Sequence, residues 1–297
     1  MNFKKLLVIF SLIILVSGCT DGGDSETSIE IDSGDSQANI EEKSEKVPHI
    51  IKISENGRSP DISNGQIVWK DGKTGSPGPL YLWESSTTTK IGDGGSYSAV
   101  IDNGQVVWQD NGINLWDGST TTKIASIGKY PDISNGQVVW SENGINLWDG
   151  STTTKISDAS ISVSSKISNG QVVWYDMKEL ADYGNREYET YLWDGSTKTK
   201  LSDNREIRDI SNGQMVWADQ GINFWDGSTT TKISENGKSP AIDNGQVVWV
   251  KNGIYFWDGS TTTKLSESGS RPKISNGRVV WYEYTEGGIY FWDGTYE

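Results

Sequence analysis

One unit, repeated, constrains this chain more than any other feature of its sequence. The clearest copy reads Pro131-Asp132-Ile133-Ser134-Asn135-Gly136-Gln137-Val138-Val139-Trp140, then Ser141-Glu142-Asn143-Gly144-Ile145-Asn146-Leu147-Trp148-Asp149-Gly150, then Ser151-Thr152-Thr153-Thr154-Lys155-Ile156-Ser157. Each copy holds two tryptophans, and the chain's 14 tryptophans make seven copies. The first tryptophans are Trp69, Trp108, Trp140, Trp174, Trp217, Trp249 and Trp281, spaced 39, 32, 34, 43, 32 and 32 residues apart. Self-similarity at this period belongs to solenoids, propellers and arrays.

Each unit divides into four short strands. Asn135-Gly136 and Asn143-Gly144 suit two-residue hairpins, because both turn residues tolerate positive φ, and Asp149-Gly150-Ser151 supplies a third reversal. The product is a four-stranded antiparallel meander. In its second strand Val138 and Trp140 share one face and Val139 takes the other, so the strand is apolar on both sides. Such a sheet needs a neighbour on each face, as a propeller blade has.

The ends of the repeat decide between an open stack and a ring. The seventh unit stops at Trp292-Asp293-Gly294-Thr295-Tyr296-Glu297, without a fourth strand. An orphan fourth strand precedes the first unit: Ile51 to Pro60 matches Thr231 to Pro240 at all but two positions. A solenoid would instead need polar caps. The expected fold is therefore all-β, a seven-bladed β-propeller of four-stranded blades, closed by the amino-terminal strand completing the last blade.

The run Ser239-Pro240-Ala241-Ile242-Asp243-Asn244-Gly245-Gln246-Val247-Val248-Trp249, with Ile254-Tyr255-Phe256-Trp257-Asp258-Gly259 and Lys264-Leu265-Ser266 after it, resembles the repeat of TolB-type, WD-like propellers. The resemblance covers His49 to Glu297 and implies the architecture. TolB has six blades and an added α/β domain, so its periplasmic partners are not carried over to seven blades without one.

The first residues read differently. Met1 to Lys5 is basic, Leu6 to Val16 is apolar apart from Ser11, and Leu15-Val16-Ser17-Gly18-Cys19 closes the run. This resembles the lipobox of prokaryotic lipoproteins, which implies cleavage before Cys19 and a lipid on its sulfur. Thr20 to Val47 has nine acids, two lysines and no aromatic residue, too little apolar surface to offset chain entropy. The expected domains are a signal peptide at 1–18, a lipidated cysteine and acidic tether at 19–48, and the propeller at 49–297. An exported monomer follows, held to a prokaryotic membrane through Cys19 and facing the exterior or periplasm. Cys19 is the chain's one cysteine, so no intrachain disulfide contributes. The formal charge of -14 repels phosphate backbones and argues against nucleic acid.

Chemistry has little to work with. His49 is the one histidine, and no Ser/His/Asp set, zinc-ligand cluster or phosphate-cradling loop can be assembled. Neither a cofactor nor a metal is expected: a structural cation is allowed by charge, but no spacing resembles a Ca²⁺ loop. Asp61, Asp132 and Asp209 occupy equivalent inner-strand positions and are candidate channel acids, open either to a structural role or to paired-acid glycan hydrolysis. The tryptophans fit core packing better than sugar platforms. Lys52, Lys90, Lys123, Lys155, Lys200, Lys232 and Lys264, each in a fourth strand, read as guards of exposed sheet edges.

The units differ mainly in two kinds of connection, second strand to third and fourth strand to the next blade, which emerge on one face. The first kind includes Lys70 to Pro79 and Tyr175 to Thr190; the second includes Gly92 to Ala99 and Asp158 to Ser165. Binding usually resides in such loops on a rigid scaffold, which makes Lys73, Tyr97, Tyr175, Tyr183 and Tyr188 the candidate binding face. The expected function is a non-catalytic binding or scaffold module for an envelope protein or glycan. The alternative is a carbohydrate-binding, lectin-like protein or a weak carboxylate-dependent hydrolase.

Overall fold

The computed structural model describes residues 46–72, 78–93, 99–158, 164–178, 187–203 and 206–297. Among these, the strands form seven four-stranded antiparallel sheets. The third blade shows the plan: Lys129–Ser134, Gln137–Ser141, Ile145–Trp148 and Thr153–Ser157, paired in sequence order. Its first hairpin turns on Asn135 at φ 50 and Gly136 at φ 74, the positive pair that a tight turn between right-twisted strands requires. The chain is thus a seven-bladed β-propeller.

The last blade is completed from the other end of the chain. Ser270–Ser275, Arg278–Tyr282 and Ile289–Tyr296 take Pro48–Ser54 as their outer strand. Ile50 lies opposite Trp292 and Ile51 opposite Phe291, and the Glu297 N–H donates to the Val47 carbonyl at 2.8 Å. The first described strand and the last are therefore knit into one sheet, as the orphan strand implied.

Seven apolar clusters hold the ring, one at each junction between blades. At the junction of blades two and three, Val107, Ile113 and Leu115 meet Ile133, Val138 and Trp140. Val139 faces the other way, with Ile145 and Ile156, onto Ile167, Val172 and Trp174 of blade four. The period-two alternation of Val-Val-Trp is what lets one strand serve two interfaces. The junction of blades seven and one repeats the pattern, with Val280, Ile289 and Phe291 against Ile62, Ile67 and Trp69.

All seven first tryptophans are buried, none more than 4% exposed. That rules out ring faces open to a sugar. The second tryptophans are half-buried, except buried Trp292, and several pack on aromatic neighbours, as Trp257 does on Phe224 at 5.4 Å. The fourth-strand lysines pair along their own edge: Lys155 with Asp158 at 2.5 Å, Lys232 with Glu235 at 2.7 Å, and Lys52, Lys90 and Lys264 with the acid three residues on. Exposed pairs of this kind contribute little stability; their consequence is a charged outer edge that discourages further strand pairing.

Candidate functional site

The seven inner strands surround a channel, and position by position they line it with rings. The first ring holds Asp61, Val100, Asp132, Lys166, Asp209, Ala241 and Lys273, one from each blade. The three predicted acids are thus brought to the channel. They meet two lysines that stand where the repeat has aspartate elsewhere. Lys166 Nζ lies 3.0 Å from Asp132, and Lys273 Nζ lies 3.8 Å from Asp61.

Each acid also clips its blade to the next. Asp61 accepts the Ile101 N–H at 2.9 Å, Asp132 the Ile167 N–H at 2.9 Å, and Asp209 the Ile242 N–H at 3.1 Å. Burial pushes the carboxyls of Asp61 and Asp209 up, against the opposing pull of Lys273 and Lys166. Burial works against the Lys166 charge, but Asp132, Asp209 and Asp61 outweigh it and hold the ammonium above the usual lysine range. This arrangement is an ionic collar between blades. Each of the three carboxylates uses one oxygen to accept a bond from a neighbouring strand, a structural role that accounts for their place in the channel.

Two further rings seal one end of the channel. The residue before the Asn-Gly turn that joins each blade's first and second strands accepts the asparagine N–H of the following blade, at all seven junctions. Five of these acceptors are serines and two are Asp102 and Asp243, and the closing junction, Ser275 to Asn64, has the same bond at 3.0 Å. The asparagine side chains run head to tail at six of the seven junctions, as in Asn276 to Asn64 and Asn64 to Asn103, both at 2.6 Å, while Asn244 donates to Asp243 instead. The cavity at this mouth is small, about 220 Å³, and almost wholly polar.

The outer turns of the same face are equally determined. In four blades an aspartate of the Asp-Gly-Ser-Thr turn accepts two backbone N–H groups and two hydroxyls; Asp149 takes all four from Ser151 and Thr152. These bonds hold the carboxyls of Asp117, Asp149, Asp194, Asp226 and Asp258 well below the usual range.

The opposite face is wider and irregular. Its channel mouth is a funnel of about 460 Å³, with Pro60, Pro131, Pro240 and Pro272 in its walls and Arg208 and Arg271 among its lining. Beside it the fourth blade is extended: Gln171–Lys178 and Glu187–Trp193 stay paired out to Lys178 opposite Glu187, whereas the third blade turns after Ser141. Tyr175 and Tyr188 meet edge to face at 5.6 Å in this hairpin. Both are half-buried, so they stiffen the hairpin rather than stand free as contact surface. Burial, reinforced by the Glu206 carboxylate, pushes the Tyr175 phenol up to about 12. Lys73, Tyr97, Tyr183 and Cys19 lie outside the described residues. Among the described residues, no group of three or more His, Cys, Asp or Glu side chains could hold a metal ion.

Sequence reasoning missed Lys166, Lys273, Asp102, Asp243, Arg208 and Arg271. The signal was present: aligning the seven copies of Asp-Ile-Ser-Asn-Gly shows lysine at the first position twice and aspartate at the third position twice.

Comparison with known proteins bears on the fold alone. The chain is similar to the β-propeller domain of the Trilobed protease from Pyrococcus furiosus, described as having an open velcro topology, at TM-score 0.60 and 12% identity over 82% of this chain and 97% of that one. It is also similar to the Pyrococcus horikoshii acylaminoacyl peptidase, at TM-score 0.62 and 12% identity over 82% of this chain and 51% of that one. A Mycobacterium tuberculosis puromycin-hydrolyzing peptidase matches at TM-score 0.54 and 11% identity, over 78% and 52%. The chain thus spans about half the length of these two peptidases. No protein-family model matches the sequence, and no curated protein matches it significantly.

Proposed function

We propose that this chain is a non-catalytic binding module, a TolB-like propeller held to a prokaryotic membrane by a lipid on Cys19, which engages an envelope component through its variable face. The observation that carries the reading is the asymmetry between faces. One face spends its polar groups on itself, with each of its seven Asn-Gly turns bonded to a neighbouring blade. The other bears the extended hairpin of the fourth blade and the wider channel mouth. A surface whose hydrogen bonds are already satisfied has less to offer a partner.

The burial of the first tryptophans and the structural bonds of the channel aspartates favour this reading over a sugar platform or a hydrolase. The test is to shorten Tyr175 to Thr190 to the Ser141-Glu142-Asn143-Gly144 turn of the third blade and measure binding to solubilised envelope of the host cell. Affinity should fall tenfold or more, about 1.4 kcal/mol. The paired control, Asp149→Asn with Ser151→Lys, alters the uniform face. If the control abolishes binding while the shortened hairpin leaves it intact, the uniform face is the binding face.

A further inference from the structure

The funnel on the variable face combines a ligand-sized cavity with a cation that no carboxylate among the described residues neutralises. In four blades the inner strand has, near its start, a residue in the left-handed region followed directly by proline: Ser59 at φ 50, Tyr130 at φ 53, Ser239 at φ 52 and Arg271 at φ 52. A residue before proline ordinarily stays extended, and strain of this kind persists only where the surroundings fix it. In each case the ladder to the second strand shifts register at this point. All four residues line the funnel. In the seventh blade the residue so displayed is an arginine.

The charges around it are largely spoken for. Lys166 is held by Asp132 at 3.0 Å, Lys273 lies 3.8 Å from Asp61, and Arg208 is held by Glu206 at 2.8 Å. Arg271 is exposed and donates to the Ser59 hydroxyl, and among the described residues no carboxylate pairs with it. Ser165, 1% exposed, stands in the wall of the same funnel.

We propose that the funnel binds a carboxylate-bearing ligand, its carboxylate on Arg271 and its apolar body against the proline walls. This rests on the reading of the variable face as the binding face, but uses its centre rather than its hairpin. Guanidinium is suited to a carboxylate because two parallel N–H groups meet both oxygens. At the funnel's floor Asp61 and Asp209 balance Lys166 and Lys273 and Glu206 holds Arg208, so Arg271 is the charge left to meet a ligand, and one guanidinium matches a singly charged carboxylate better than a phosphate dianion. At about 460 Å³ the funnel has the volume of a small-molecule site. The carboxylate can belong to a free organic acid or to the end of a peptide, and both present the same group to Arg271.

The experiment is calorimetric titration of the full chain with benzoate, benzamide and benzylammonium, and with acetyl-Ala-Phe ending in a free carboxylate or an amide. Saturable binding of benzoate or the acid peptide, at least tenfold tighter than its neutral counterpart, is expected. Binding of the free acid alone marks a small-molecule site, and binding of the peptide alone marks a site for chain ends. Arg271→Ala should weaken the carboxylate probes at least tenfold, and Arg271→Lys, which keeps the charge but loses the fork, should fall between. The hairpin-shortened protein should bind them as the parent does, even if it no longer binds envelope. Failure to bind either carboxylate probe, equal affinity for amide or ammonium, or parental affinity in both Arg271 variants overturns the proposal. None of these results alters the envelope measurement, so the two readings fail separately.

Discussion

Removing the closing strand should destabilise the whole ring by an amount that its own contacts set. Truncation after residue 46 keeps Val47 and Pro48–Ser54, while truncation after Ser54 removes the strand from beside Ile289–Tyr296. Ile50 packs on the cluster of blades six and seven, and Ile51 and Ile53 on the cluster of blades seven and one. All three are half-buried. A fully buried isoleucine contributes about 1.5–3 kcal/mol, so three at half burial contribute about 3 kcal/mol together. The lost ladder bonds and the recovered chain entropy are similar in size and opposite in sign, so the apolar contribution sets the estimate. For a domain of this size that corresponds to a fall in Tm of roughly 6–12 °C. Thermal unfolding of both truncations by circular dichroism measures it, and a peptide of residues 47–56 added in trans should restore part of the loss. Equal melting temperatures for the two truncations would refute closure by this strand.

Two further outcomes follow from the local geometry. Gly237→Ala sets a Cβ 2.7 Å from Trp249 Cδ1 and 2.8 Å from Ile222 Cγ1 at φ 151, so it should cost about 1–3 kcal/mol by urea denaturation; a neutral result would mean that the blade junction yields more easily than its packing indicates. The aspartates of the Asp-Gly-Ser-Thr turns have folded-state pKa values below their unfolded value of about 3.9, so their stabilisation is present above that pH and is lost as pH falls toward the folded values. Replacing Asp117, Asp149, Asp194, Asp226 and Asp258 with Asn should therefore lower stability at pH 7 and reduce the further loss between pH 4 and pH 2, whereas an unchanged acid loss would remove these turns from the account.

The fold was legible because its code is local. Val138-Val139-Trp140 states within three residues that the strand has two apolar faces, and Asn135-Gly136 states where it turns. Closure was legible because Ile51 to Pro60 repeats Thr231 to Pro240. The channel was only half legible. Its rings bond each residue to a partner one blade away, so Asp132 with Lys166 and Ser275 with the Asn64 N–H become neighbours only once the ring is closed. Reading Asp61, Asp132 and Asp209 as a set of acids overlooked the lysines at the same register, because a repeat draws the eye to what is shared. Tyr175 and Tyr188 were expected at the surface, but pairing across the long hairpin packs them on each other. Which tyrosine faces inward depends on how far the strands stay paired, and turn chemistry alone does not fix that.

The account's central claim is that partners are met on the variable face. A photo-crosslinking amino acid placed singly at Asn143 and Asn252, exposed at that face, and at Ser151 and Ser260, exposed in the turns of the other, tests it in the living host. Covalent adducts with an envelope component from Asn143 or Asn252, and none from Ser151 or Ser260, are predicted. Adducts from Ser151 and Ser260 alone would contradict the claim and move the binding surface to the ring of sealed turns.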